Sequence, residues 1–307
     1  ACMTEMIKLR QLQYFLAAAD TLQFTRAAEK LFVTQPTLSH QIAQLESHIG
    51  TPLFDRIGKA IRLTEAGRLF RTHAARAIKE LEAGQTALAE LEGLVRGTLT
   101  IGVIQSFSRT LLPPILGEFL SGYPNIRLRV EEMTAPTIEH RLAEGSLDLG
   151  IAFAPSGMED IEVEPILEER LLLVVGLNHP LAHRRNLRLA ELDRQPMALL
   201  GTDFSTRRLI DGYLAAAGVQ VDPVCETNSI EVMLGAVMQS LRATISPENA
   251  LSRNKTMKSL RVLFLRDPVP VRISALLWPR HSFRTVAART FARMARDKML
   301  TPPAKIA

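Results

Sequence analysis

Cysteine is nearly absent: the 307 residues contain two, Cys2 and Cys225, near opposite ends of the chain. No disulfide framework or paired-thiol metal motif can be read from their spacing, which suits a reducing compartment. Cys225 falls in an apolar, strand-like stretch, where a buried and inert thiol is expected. Long apolar runs are also missing. None approaches the ~20 residues of a spanning helix, and the start Ala1-Cys2-Met3-Thr4 lacks the basic and apolar regions of a signal peptide. A soluble, cytoplasmic protein without a membrane partner is expected. Gly-x-Ser-x-Gly, a Walker-type glycine loop and His-Glu-x-x-His are absent too, so neither an enzymatic role nor a metal or cofactor is expected. His179 and His183 have i, i+4 spacing, but Pro180 between them argues for a loop carrying surface histidines rather than ligands.

What is present suits two domains, one small and one of roughly 200 residues, each able to bury a core. The formal charge of +5 and pI of about 9.5 favour polyanions without naming one.

From Lys8, the spacing of Leu12, Phe15, Leu16 and Ala19 predicts a helix with one buried stripe. Thr25 is placed to cap a second, short helix running through Phe32, in which Ala27 and Ala28 permit close approach of a neighbour. Thr34 then offers a cap, Pro36 sits in a tolerated first turn, and Leu38, Ile42, Leu45 and Ile49 form the stripe of a third helix. Its opposite face carries Pro36, His40, Ala43, Gln44 and Ser47, with Gln35 and Ser39 beside them. Such a face suits a recognition helix, whose N-terminal turn approaches phosphate while short polar side chains reach base edges; alone, it reads equally well as a solvated face. Phe54 to Leu63 reads as two short strands around a glycine turn, a wing whose Arg56, Lys59 and Arg62 would meet phosphates or the minor groove unless they are merely scattered cations.

Taken in order, Phe24-Thr25-Arg26-Ala27-Ala28, Thr34-Gln35-Pro36-Thr37-Leu38-Ser39-His40-Gln41-Ile42, Leu45-Glu46, Gly50-Thr51-Pro52-Leu53-Phe54-Asp55-Arg56 and Leu63-Thr64-Glu65-Ala66-Gly67 resemble the winged helix-turn-helix of LysR-type transcriptional regulators. The resemblance implies a sequence-specific DNA-binding regulator in which Gln35, Pro36, Ser39 and His40 meet the duplex operator and Arg56 holds its backbone; Thr25, Thr34, Thr37, Gln44, Lys59 and Arg62 complete the candidate DNA contacts. Position 40 is often arginine in that family, so His40 implies a weaker, pH-sensitive contact.

Thr64 is placed to cap a long helix in which Phe70, Ala74, Ala77, Leu81, Gly84, Leu88, Leu91 and Val95 alternate in steps of four and three. This heptad seam argues for pairing between two chains, with packing on the helix's own body as the alternative. The family likeness implies a homodimer through this helix, commonly within a homotetramer, with RNA polymerase as a further candidate partner.

Beyond Gly97, short apolar runs alternate with helical segments. Strands are expected at Leu99 to Ile104, Leu128 to Val130, Leu147 to Phe153, Leu171 to Val175, Met197 to Leu200, Ala243 to Ile245, Leu260 to Leu265 and Ile273 to Leu277. Helices are expected at Leu111 to Leu120, Thr137 to Ala143 and Ser282 to Arg296. The order is that of an α/β sheet with crossovers. One sheet could hold all of these strands. Glu144-Gly145-Ser146-Leu147-Asp148-Leu149-Gly150-Ile151-Ala152-Phe153 extends the LysR resemblance over nearly the whole chain. It implies a winged helix-turn-helix domain at 1–63, a linker helix at 64–96, and a two-lobed α/β effector domain at 97–307, similar to a periplasmic binding protein. Lobe I would span 97–165 and 268–298, and lobe II 166–267, with crossings near Glu164-Pro165 and Asp267-Pro268.

Ligands in open α/β sheets bind beyond the carboxyl ends of strands. The candidates are therefore Ser106, Phe107, Ser108, Thr134, Phe153 and Ala154 on one side, and Thr202, Phe204, Ser205, Thr206, Asn228, Ser229 and Pro247 on the other. Hydroxyls and amides at helix starts favour a small anion such as a carboxylate, although any one of them could be an ordinary cap. Gln239 to Pro247, Phe153-Ala154-Pro155 and Asn228-Ser229-Ile230 look similar to the cyanate-operon regulator subgroup, which does not by itself name the ligand. A ligand-independent architectural DNA-binding protein is the rival reading, and it leaves the large second domain without a purpose.

Overall fold

The computed structural model describes residues 7–57, 60–91, 96–109, 111–251 and 259–300. Contacts divide the chain into two compact units. The first holds the described residues through 91 with Ala143–Ser146 and His281–Thr285, and the second holds the rest.

The first unit is formed by α1 (Leu9–Thr21), α2 (Phe24–Lys30), α3 (Gln35–Ile49), β1 (Phe54–Ile57), β2 (Ala60–Leu63) and α4 (Glu65–Leu91). Its core is Phe15, fully buried, whose ring meets Phe54 at 5.4 Å and Phe70 at 5.1 Å between centroids, with Ala18, Ala27, Ala28, Leu38, Ile42 and Leu45 packed around it. The alanines of α2 let it lie close to α1 and α3. β1 and β2 form an antiparallel hairpin with Phe54 opposite Leu63. Thr64 closes that hairpin onto α4: its hydroxyl donates to Pro52 O at 2.9 Å and accepts from Gly67 N at 2.9 Å.

Two boundaries of α2 differ from expectation. The helix starts at Phe24 after Gln23, so Thr25 lies inside the first turn instead of capping it. It stops at Lys30, not Phe32. Phe32 N donates to Glu29 O and Val33 N to Ala28 O, a Schellman pairing that places Phe32 at φ +55°. A phenylalanine there carries no sequence signal for a left-handed cap.

The second unit begins with β3 (Gly97–Val103), α5 (Gln105–Ser108), α6 (Leu112–Gly122), β4 (Ile126–Glu132), α7 (Ala135–Ala143) and β5 (Leu149–Ala154). It continues through β6 (Ile161–Gly176), β7 (Asn186–Arg188), a 3-10 turn, β8 (Pro196–Leu200), α8 (Ser205–Ala216), β9 (Asp222–Thr227) and α9 (Ile230–Met238). The last elements are β10 (Ala243–Pro247), α10 (Glu248–Leu251), β11 (Leu260–Arg266), β12 (Val271–Pro279) and α11 (Val286–Leu300). The hydrogen-bonded path runs β4-β3-β5-β12-β6-β10-β8-β9, with β11 joining β6 and β7.

Two lobes arise because β6 changes partners midway. Residues 161–170 pair antiparallel with β12 in lobe I, whereas 171–176 pair with β10 and β11 in lobe II. Lobe I holds parallel β4, β3 and β5, and lobe II parallel β10, β8 and β9. The Leu147 to Phe153 stretch owes its pattern to packing. Asp148 Oδ2 accepts from Thr100 N at 2.7 Å, and a Cβ at Gly150 would come within 2.6 Å of Ile138 Cγ2, so α7 sits directly on the sheet.

α11 begins at Val286, four residues later than expected. Cys225 lies on edge strand β9 and is half-buried, where full burial was expected. His179 and His183 do lie in a loop, but His179 is 6% exposed, so only His183 is a surface histidine.

Candidate functional site

Thr34 caps α3, with its hydroxyl accepting from Thr37 N, and Pro36 occupies the first turn. With Leu38, Ile42 and Leu45 buried, the helix turns Gln35, Pro36, Thr37, His40, Ala43, Gln44 and Ser47 to solvent, with Ser39 half-exposed. The polar side chains are linked along this face: Gln41 Nε2 donates to Gln44 Oε1 at 3.0 Å, and Gln44 Nε2 lies 3.1 Å from His40 Nε2. Thr25 is exposed on α2 and Arg62 on β2. The Arg56 side chain and all of Lys59 lie outside the described residues.

Glu46 is a residue whose role sequence reading left unexplained. Its Oε1 accepts from Leu53 N at 2.7 Å and Phe54 N at 3.0 Å, so the end of α3 holds the start of the wing through two backbone amides. Its place in the Leu45-Glu46 motif was the available signal.

The second site is the cleft between the lobes. From lobe I it is lined by Ile104, Gln105 and Ser106 after β3, by Met133, Thr134 and Ala135 after β4, and by Phe153 on β5. From lobe II come Leu200, Phe204, Ser205, Thr206, Ile230 and Pro247. Its open volume is about 30 Å³, room for a ligand of a few heavy atoms. Of the candidates, Ser106, Thr134, Phe153, Phe204, Ser205, Thr206 and Pro247 come together here. Phe107, Ser108, Ala154, Thr202, Asn228 and Ser229 are not among the lining residues. Ser108 donates to Gln105 O and pairs with Glu132, Thr202 O accepts from Arg208, and Ser229 caps α9.

The lobes are tied across this cleft. Gln105 Oε1 accepts from Ile230 N at 2.9 Å, so a lobe I side chain satisfies an amide at the start of α9, and Arg109 pairs with Glu231. Deeper still lies Arg272, 3% exposed, on β12. Its Nε donates to Glu169 Oε2 at 2.7 Å, Nη1 to Thr206 Oγ1 at 3.1 Å, and Nη2 to Ser106 Oγ and Asn249 Oδ1 at 3.0 Å each. The guanidinium carbon stands 4.3 Å from the Phe153 ring centroid and 5.4 Å from that of Phe107. Burial pushes the Arg272 pKa down while Glu169 opposes the shift, and a guanidinium stays charged at neutral pH. Glu169 does not stand out in the sequence, being one of several charges between Glu162 and Arg170, whereas Arg272 is the single charge between Val269 and Trp278 and was the available signal.

Residues 9–68 match the helix-turn-helix model of bacterial regulatory proteins of the lysR family, and residues 92–300 match the LysR substrate binding domain. The chain belongs to the LysR family of transcriptional regulators. It is 32% identical over 283 residues to the HTH-type transcriptional activator CmpR of Synechocystis, covering 92% of this chain and 93% of that one. A full-length point variant of OxyR from Pseudomonas aeruginosa has a similar fold at TM-score 0.77, with 24% identity over 99% of this chain and 97% of that one. Full-length CbnR in complex with its target DNA gives TM-score 0.56 at 23% identity, covering 95% and 99%. The chain is therefore a DNA-binding transcriptional regulator with an effector-binding domain, and not an enzyme. Among the described residues, no helix is long and apolar enough to cross a membrane.

Proposed function

We propose that the exposed face of α3 reads an operator in the major groove, that the wing holds its backbone, and that a small anion in the inter-lobe cleft modulates DNA binding or bending. The observation that carries this reading is the continuous solvent-facing row from Gln35 to Gln44 on a helix otherwise anchored in the core. No cofactor beyond the effector is required. The protein acts in the cytoplasm as a dimer or tetramer, with RNA polymerase as a further partner. Pairing through α4 is supported by Leu81 and Leu88, 54% and 66% exposed, although Phe70 and Ala74 of the expected seam pack inside the first unit and Val95 lies outside the described residues. An effector shifts the balance between two DNA-bound assemblies only by its difference in affinity for them.

The test is selection of sites from a random duplex library, followed by footprinting with and without small anions. The expected result is an interrupted palindrome whose footprint shifts with one anion. Substituting Pro36 or His40 should impair discrimination between sites, whereas Arg62→Ala should weaken binding to all DNA and flatten its salt dependence. Equal losses on specific and random DNA for the helix variants would overturn the assignment of α3.

A further inference from the structure

Behind the cleft wall lies an electrostatic device that the binding reading alone does not use. Ser106, Phe153 and Thr206 all line the cavity, and all three contact the Arg272 guanidinium. The Nη end of Arg272 therefore faces the cavity through a single layer of side chains. Its Nε edge faces the other way, to Glu169, 5% exposed. Glu169 Oε2 also accepts from Ser274 Oγ at 3.1 Å, while Oε1 has no hydrogen-bond donor among the described residues.

The arrangement is charge-neutral but directional. A ligand in the cavity lies nearer the guanidinium than the carboxylate, so it feels a net positive potential. The wall itself supplies hydroxyls: Arg272 has only donors, so Thr206 must accept from it, and the hydrogen of that hydroxyl is directed elsewhere. Among the described residues Oε1 of Glu169 has no donor, and the opposing field of this carboxylate in a low-dielectric interior is correspondingly strong.

We propose that the Arg272–Glu169 pair sets the charge of the ligand the cleft accepts: Arg272 selects a small carboxylate over its neutral isostere, and Glu169 holds that preference down. The inference rests on the reading of the cleft as the effector site. Both residues act through the wall and need not touch the ligand. They are specificity-determining by position, and Glu169 is a brake on affinity.

The experiment compares acetate with acetamide, two probes of the same shape and different charge, titrated against the full chain and followed by the ligand-induced rise in melting temperature. Glu169→Gln keeps an acceptor for Ser274 and Arg272 and removes only the charge. It should tighten acetate about tenfold, the size expected for a unit charge removed from within about 10 Å at an intermediate dielectric, and leave acetamide unchanged. The double variant E169Q/R272M, which avoids an unpaired buried carboxylate, should bind acetate no better than acetamide. Saturable acetate binding by the wild type with an acetate-to-acetamide ratio that E169Q does not move would overturn the role of the pair and leave the cleft reading standing. Retention of the wild-type ratio in the double variant would do the same. Absence of saturable binding of either probe to any form would overturn the pair and the cleft reading together.

Discussion

At the root of the wing, the Glu46 carboxylate accepts from the amides of Leu53 and Phe54, both buried residues. Glu46→Ala leaves both amides without a partner, a cost of about 1–3 kcal/mol. Faster hydrogen exchange at these two amides is expected, with Glu46→Gln rescuing most of the protection. His179 tells a different story. Its Nδ1 accepts from Leu181 N at 3.1 Å, and burial pushes its pKa below the usual 6.5. The folded chain therefore prefers the neutral ring, so the unfolded chain binds more protons as pH falls below about 6.5. Its contribution is complete above that pH and is lost below it. The melting temperature of the wild type should fall more than that of His179→Gln between pH 7.5 and 5.5, and parallel curves would refute the assignment. The Leu45-Glu46 motif marks Glu46 without saying what it holds, and nothing in the sequence marks His179, because each role depends on how a turn places its partner.

Elements were legible where periodicity governed them. The stripe of α3 and its Thr34 cap follow from local rules and appear where the sequence puts them. The 16-residue β6 was legible only over Leu171 to Val175. Its lobe I part, residues 161–170, carries Glu162, Glu164, Glu168 and Glu169, and a strand that pairs with β12 while changing lobes shows no apolar run. Edge strand β9 showed in the sequence as the strand-like stretch around Cys225, whereas its exposure did not. The candidate cleft was half legible: strand ends located Ser106, Thr134, Phe153 and the start of α8, but not Arg272 and Glu169, which meet only through the register of β12 on β6. At this scale Gly67 makes a clear prediction. A Cβ there would lie 2.0 Å from Leu53 O, which is held by Thr64 N at 3.0 Å, so the wing cannot retreat cheaply. Gly67→Ala should destabilise the first unit by about 2 kcal/mol or more, seen as a lower denaturant midpoint and lost DNA binding. An unshifted midpoint would show that α4 and the wing are not in such close contact.

Across the whole molecule, the resemblance foresaw both architectures, while the exchange of β6 from one lobe to the other explains how a continuous hydrogen-bonded path yields a cleft at all. The bond from Ile230 N to Gln105 Oε1 has a consequence in time. A bond that joins the two lobes must break before they part, so a ligand that enters by their parting waits for a gate. The observed association rate should therefore rise with ligand concentration and then level off at the rate of opening. Gln105→Ala, which removes this fastener and leaves the Arg109–Glu231 pair, should raise that plateau in stopped-flow measurements, and a rate that stayed linear in ligand for the wild type would mean that the door is never shut.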